Sequence, residues 1–306
     1  MTGTIILPAF LSKLWVPENV NGNRDFRLVS NVASPFFYAL KDELGFDLRY
    51  SNEIDVPHNT DMVILFGGPY HNKPKPIPGL LDLNKKTKLV IYPGDLQTRE
   101  NADCLKNKIN AFERCDLILS GSYEYFAKMY PMFLSKHRFL PLFFGPDDRY
   151  LKLNFNNDPN MKCLLPGASG PNVYPLRSFV KKNYIGINCM RKEGDSYAEL
   201  LNSFFCCVTS SSIFNYVVAK YFEIPAAGSL LLANETFDLD KIGFVPHEHY
   251  VPITKENVIN TIKHCLNNSS EYDHIRKRGM DYVRAHHSMT NRVNEFVKIL
   301  KDSPIS

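Results

Sequence analysis

"AKYFEIPAAGSLLLANE" (219–235) sits inside an apolar run, yet it carries a lysine and a glutamate three residues apart. Val217, Val218, Tyr221, Phe222 and Ile224 surround that pair. At helical spacing Lys220 and Glu223 share one face. The stretch then breaks at Pro225 and Gly228 and resumes as the short apolar segment "SLLLAN". Helix, tight turn and buried strand in this order are one αβ step of a layered α/β fold. "PAAG" (225–228) carries no bulky side chain, so helix and strand can pack closely.

The same step recurs in both directions. "MKCLLPGASG" (161–170), "YIGINC" (184–189) and "FFCCVTS" (204–210) read as strands, and "YPLRSFVKK" (174–182) and "SIFNYVVAKYFE" (212–223) as helices. Three helical stretches at 254–267, 270–285 and 289–301 close the chain. Upstream, "GTIILPAF" (3–10), "DMVILFGG" (61–68), "KLVIYPGD" (88–95) and "DLILSGS" (116–122) are short apolar runs ending at Gly, Pro, Asp or Ser. Such runs mark parallel strands covered on both faces. Helical patterns near 32–44, 101–114 and 122–133 separate them, and "RFLPLFFGPDDRYL" (138–151) adds one more strand. "NFNNDPN" (154–160) reads as a linker. The expectation is α/β: two Rossmann-like, doubly wound domains, 1–155 and 156–306, with a cleft between them. The last helix is a candidate to cross back to the first domain.

Composition agrees. The chain has 306 residues, and at ~100–200 residues per domain two domains are expected. A net charge of +4 permits an anionic ligand but argues no nucleic-acid-binding face. The seven cysteines show no CxxC or Cys/His metal spacing, which fits reduced thiols in a cytoplasmic compartment. The apolar run 213–233 is interrupted by Lys220, Glu223 and Pro225, so no membrane span is expected.

In open α/β sheets ligands meet the carboxyl ends of the strands. "CVTSSSIFN" (207–215) places Ser210, Ser211 and Ser212 at such an end, ahead of the expected helix. The N–H groups of a helix start bind phosphate, although a single serine cap would also read this way. "GASGPN" (167–172) supplies Gly167, Ser169 and Gly170, small enough for a backbone to approach a pyrophosphate, though a plain turn reads equally well. A surface ion pair would account for Lys220 and Glu223 at a gain of at most ~1 kcal/mol. Their apolar setting argues instead for a polar ligand. A nucleotide supplies phosphate oxygens for the lysine and ribose hydroxyls for the glutamate.

At this point the chain resembles a known family. "KYFEIPAAGSLLLANE", followed in order by "IGFVPHEHYVPI" (242–253) and "HSMTNR" (287–292), is similar to the donor-binding domain of GT-B glycosyltransferases. Within these it is most similar to the branch of the spore-coat maturation glycosyltransferases, which "YPLR" (174–177) and "GDSYAELLNSFFCCVTSSS" (194–212) also fit. The resemblance covers roughly 161–300; the first half matches only in layout.

The resemblance implies a nucleotide-sugar donor, probe of first choice UDP-linked, and a glycan acceptor, with no resident cofactor and no metal. It implies that Glu223 holds the ribose and that Lys220 and Ser210–Ser212 lie by the diphosphate. Arg191 or Lys192 would be a second cation, and His247 would line the base pocket. Relatives carry a second glutamate where this chain has Asn215, beside the sugar. An inverting reaction would also need a base to deprotonate the acceptor. Asp95, at the end of "KLVIYPG", is the first candidate and His71 in "GGPYH" the second; turn roles remain open for both. The alternatives are an epimerase or hydrolase of nucleotide sugars on the same scaffold, or a catalytically silent nucleotide-binding protein. Oligomeric state is left open.

Overall fold

The computed structural model describes residues 1–9, 18–20, 23–25, 33–67, 77–94, 96, 102–141, 147–189 and 195–303. The chain divides into two compact units, one built from described residues within 1–26, 34–142 and 292–306, the other from those within 27–33 and 143–291.

The first unit follows the alternation expected from sequence. Its elements are β1 (Gly3–Leu7), a small hairpin of β2 (Glu18–Val20) and β3 (Asn23–Asp25), α1 (Ala33–Leu44), β4 (Asp47–Tyr50), β5 (Met62–Phe66), β6 (Lys88–Tyr92), α2 (Ala102–Arg114), β7 (Leu117–Ser120), α3 (Tyr123–Met129) and β8 (His137–Phe139). Six strands form one parallel sheet in the order β4-β1-β5-β6-β7-β8. "MVILF" of β5 is buried at every position because the sheet is covered on both faces. One face packs Phe112 of α2 against Phe126, Tyr130 and Phe133. On the other, α10 (Met289–Asp302) brings Phe296 within 6.2 Å of Phe36 and 5.8 Å of Phe66. Strand β4, "DLRY", does not read as a strand in sequence: it is a half-exposed edge and lacks an apolar run.

The second unit opens with α4 (Asp148–Leu151), capped by Asp147, whose carboxylate accepts from Arg149 N at 3.0 Å. It continues with β9 (Asn160–Leu164), α5 (Pro175–Asn183), β10 (Ile187–Asn188), α6 (Asp195–Asn202), β11 (Phe204–Thr209), α7 (Lys220–Ala226), β12 (Leu230–Ala233), β13 (Val251–Pro252), α8 (Val258–Asn267) and α9 (Asp273–His287). The five strands are parallel in the order β10-β9-β11-β12-β13. The division between units falls ahead of α4, earlier than the linker expected at 152–160. Arg284 of α9 explains why: it donates to the carbonyls of Tyr150 (2.7 Å), Leu153 (2.9 Å) and Ala226 (2.8 Å), tying that segment to α7 and α9.

One expected helix is corrected. The stretch 212–223 is not continuous helix; α7 spans only Lys220–Ala226 and runs through Pro225. Asn215 has φ +56, a left-handed conformation that a right-handed helix cannot contain. Pro225 is tolerated near the end of α7, and its Cβ packs where α9 approaches at Gly279. A side chain on Gly279 would meet the carbonyl oxygen of His249 at 2.6 Å. No described helix is long and apolar enough to cross a membrane. All seven cysteines are free, and only Cys189 is exposed.

In the first unit His137 is a buried titratable group. His137 stacks on Phe126 at 3.9 Å, and its Nε2 lies 2.7 Å from Ser120 Oγ. Its Nδ1 has no hydrogen-bond partner among the described residues. Burial, and then the charge of Arg138, push its pKa down to about 4. A folded value below the unfolded one, ~6.5, means that its stabilising effect is present above pH 6.5 and is lost as the pH falls towards 4. An NMR titration should find the His137 imidazole neutral from pH 7 to 5, with unfolding by urea becoming easier across that interval. Titration of His137 near 6.5 would contradict its burial as a neutral ring.

Candidate functional site

The topology of the second sheet selects the place to look. From β9 the chain crosses to β10 on one side, while β11 lies on the other, so the carboxyl ends of β9 and β11 flank a topological switch point. The loop after β9 contains Gly167 at φ +84, a conformation that suits glycine. A Cβ on Gly167 would lie 3.3 Å from Lys220 Cε and 3.9 Å from Arg177 Nη1. Two cationic side chains therefore converge on this backbone. Ser169 is half-buried in the same loop, and nothing lies within 4 Å of a Cβ built on Gly170. The Gly170 carbonyl accepts from Tyr174 N at 2.7 Å and closes the turn into α5.

Lys220 and Glu223 share a face of α7, as their spacing requires. They are neither a surface pair nor two isolated groups. Lys220 Nζ lies 2.5 Å from Glu223 Oε2, and the Glu223 side chain is 0% exposed. Tyr197 of α6 donates its hydroxyl to the same Oε2 at 3.5 Å, and Lys220 Nζ sits 4.8 Å above the Tyr197 ring. Burial, and then the charge of Glu223, hold the Tyr197 hydroxyl far above its ordinary pKa, so it remains a donor. The other carboxylate oxygen, Glu223 Oε1, is buried and has no hydrogen-bond partner among the described residues. Buried carboxylate oxygens without donors are costly, and one beside a switch point marks a place where a ligand hydroxyl would be welcome.

Arg177 is the third charged member and was not singled out from the sequence. Its guanidinium stacks 4.1 Å from the Tyr174 ring and is 3% exposed. Nη1 donates to Ala168 O at 3.2 Å and Nη2 to Ser210 O, so it joins the loop after β9 to the loop after β11. Burial pulls its pKa below the ordinary value. The only sequence signal was an arginine two residues after a proline at a helix start.

Ser210, Ser211 and Ser212 follow β11 and are buried, but they do not start a helix, because α7 begins eight residues later. The expected helix-start phosphate site is therefore not formed by these serines. Ser210 Oγ donates to Ser211 O at 3.0 Å, and Ser212 Oγ accepts from Phe214 N at 3.3 Å. Ser211 is bonded to Asn234, at the end of β12, and to Asn215. A cavity of about 820 Å³ adjoins the three serines, lined also by Phe179, Asn234, Thr254 and Lys255. His247 has φ +62 and lies exposed in the turn 246–250, its N–H bonded to Tyr250 O at 2.8 Å. No contact among the described residues joins it to Lys220 or Glu223. Asp95, His71, Arg191 and Lys192 lie outside the described residues.

The comparisons with known proteins can be set against this geometry. No curated protein matches the chain in sequence. Residues 183–298 match the family model described as glycosyl transferase-like. In structure, the chain is similar to sucrose-phosphate synthase from Thermosynechococcus elongatus, at 12% identity over 98% of each chain and a TM-score of 0.65. It is also similar to HepE of Anabaena in complex with UDP and glucose, at 11% identity, 98% of this chain, 99% of that one and a TM-score of 0.61. A third likeness is the pneumococcal O-GlcNAc transferase GtfA in complex with UDP and GlcNAc, at 9% identity, 79% of this chain, 56% of that one and a TM-score of 0.51. The fold is that of the GT-B glycosyltransferases. The segment matched by the family model, 183–298, holds the serines, Lys220 and Glu223, whereas the Gly167 loop and Arg177 precede it.

The buried pair has a measurable signature. Removing one partner strands the other charge, at a cost of about 3–5 kcal/mol. Lys220→Met should destabilise the second unit by an amount of that order in urea unfolding, and adding Glu223→Gln should restore most of it. Equal or additive losses in the double variant would contradict the pairing.

Proposed function

We propose that this chain moves a sugar from a nucleoside diphosphate, UDP in the first instance, to a hydroxyl of a glycan acceptor. One observation carries the reading: a fully buried carboxylate at the switch point with one oxygen paired and the other, Glu223 Oε1, without a partner among the described residues. A ribose diol supplies the O–H donors which that oxygen lacks. Lys220 and Arg177, both near the backbone of Gly167, provide positive potential for the diphosphate. The UDP bound to HepE and to GtfA supports the choice of nucleotide.

In the transfer, the acceptor oxygen attacks the anomeric carbon while the bond from that carbon to the β-phosphate oxygen breaks. The electron pair leaves with the nucleoside diphosphate. Fixed cations beside the developing charge lower the barrier. Lys220 is the first choice for that role, with Arg191 as a further cation, and no metal is required by this scheme. If the anomeric centre inverts, Asp95 accepts the proton of the acceptor hydroxyl, with His71 as second choice. Asn215 and the serines stand beside the sugar and phosphates, and His247 near the base.

The test is calorimetric titration with UDP, followed by assay of UDP release from UDP-sugars with and without glycan acceptors. Binding of UDP, lost in Glu223→Ala, and release dependent on an acceptor are the expected results. Asp95→Asn should abolish release while UDP binding persists. Turnover without acceptor would favour the epimerase or hydrolase reading, and UDP binding without any turnover a silent nucleotide-binding protein. No binding of any nucleotide would overturn the proposal.

A further inference from the structure

The second unit has a cavity apart from the site at Glu223. Its volume is about 820 Å³, within the range of small-ligand sites. Leu176, Phe179 and Lys182 of α5 line one wall, and Thr254, Lys255 and Asn257 at the start of α8 another. Gly167, Arg177, Tyr197, Lys220 and Glu223 are not among the lining residues. The core explains the separation. Val180 of α5 and Val258 and Ile262 of α8 pack with Val208, Leu230 and Leu232 of the sheet, in a cluster that holds no residue of α6 or α7. Alternate residues of a strand point to opposite faces. The cavity therefore lies at the end of the face that α5 and α8 cover, whereas α7 packs against β11 and β12 from the other face. Ser210, Ser211 and Ser212, at the end of β11, border the cavity.

The charges here favour an anion. Lys182 and Lys255 line the cavity against a single acidic residue, Glu235. Neither lysine makes an ion pair among the described residues, and Lys255 Nζ lies 5.5 Å over the Phe179 ring. That contact joins the start of α8 to α5. Asn257 adds a donor of known direction: its Oδ1 accepts from Thr254 N at 2.7 Å, so its Nδ2 is the end left to donate. An inorganic anion would meet these groups and leave most of the volume empty. Leu176, Phe179, Pro252 and Ile253 supply apolar lining that suits the C–H face of a sugar ring, and the serines and asparagines suit its hydroxyls. We propose that this cavity is a second saccharide site, which takes a sugar unit bearing a carboxylate or a phosphate. Two sources share that chemistry: a non-reacting unit of the glycan acceptor, and a free sugar acid or sugar phosphate.

Calorimetric titration of the full chain with glucose, glucuronate and glucose 6-phosphate, with and without saturating UDP, tests this. Glucuronate or glucose 6-phosphate should bind roughly ten-fold more tightly than glucose, the gain of two solvent-facing ion pairs. Lys182→Glu combined with Lys255→Glu should abolish that preference while UDP binding persists, which also reports that the variant is folded. Glu223→Ala should lose UDP and keep the anionic sugar. A glucuronate-containing oligosaccharide that binds more tightly than glucuronate assigns the site to the acceptor glycan, and equal binding assigns it to the free sugar. Absence of binding by both anionic sugars, equal affinity for all three, a preference unchanged in the double variant, or displacement of the anionic sugar by UDP would overturn the proposal and leave the nucleotide reading intact. If UDP itself does not bind, the nucleotide reading fails, and the titration without UDP still decides the saccharide site.

Discussion

The contact on which the second unit turns is the 2.5 Å ion pair between Lys220 and Glu223. A carboxylate with no exposure is held there by one ammonium and one tyrosine hydroxyl, both on the same oxygen. Such a pair is weak evidence for stability, because desolvation opposes the Coulombic gain. Its value lies in what it leaves over. The second oxygen is buried without a hydrogen-bond partner among the described residues, and the helix that carries it packs against β12 and α9. Gly228, at φ +83, sits where a side chain would meet Met280 Sδ at 3.2 Å. The close approach lets a seven-residue helix with an internal proline hold a buried charge.

Arg177 complements this from across the switch point. The two loops that flank it are joined through their carbonyls by one buried guanidinium. A lysine would not replace it, since an ammonium lacks the planar fork that reaches two oxygens in different directions. Glu223 is thus fixed by its helix and the loops by Arg177.

The fold was legible because its signals are local. Buried parallel strands such as "MVILF" and "FFCCVT" are short apolar runs, and the residues that end them are glycine, proline, serine or aspartate. The elements that escaped are those whose residues lack a period: the half-exposed edge strand Asp47–Tyr50, the two-residue strand Val251–Pro252, and the helix Asp195–Asn202. The expected helix from 212 failed for a different reason. Its apolar spacing was adequate, but a left-handed asparagine at 215 interrupts it, and no periodicity reports a single backbone angle. Within the site, Lys220, Glu223 and Gly167 were recognisable because charge and flexibility stood out against their setting. Their pairing and the orphaned oxygen depend on side-chain geometry. Tyr197 could not be found from a helix that was not read. Asn234 carried a faint signal, its place directly after a buried strand.

The central claim is that Glu223 Oε1 waits for ribose hydroxyls, and it is tested most directly by taking those hydroxyls away. The affinities of the unaltered chain for UDP and for 2′,3′-dideoxy-UDP can be measured side by side by calorimetry. Hydrogen bonds to a charged group are worth about 1.5–3 kcal/mol, so UDP should bind roughly ten-fold to a hundred-fold more tightly. Equal affinities would contradict the account.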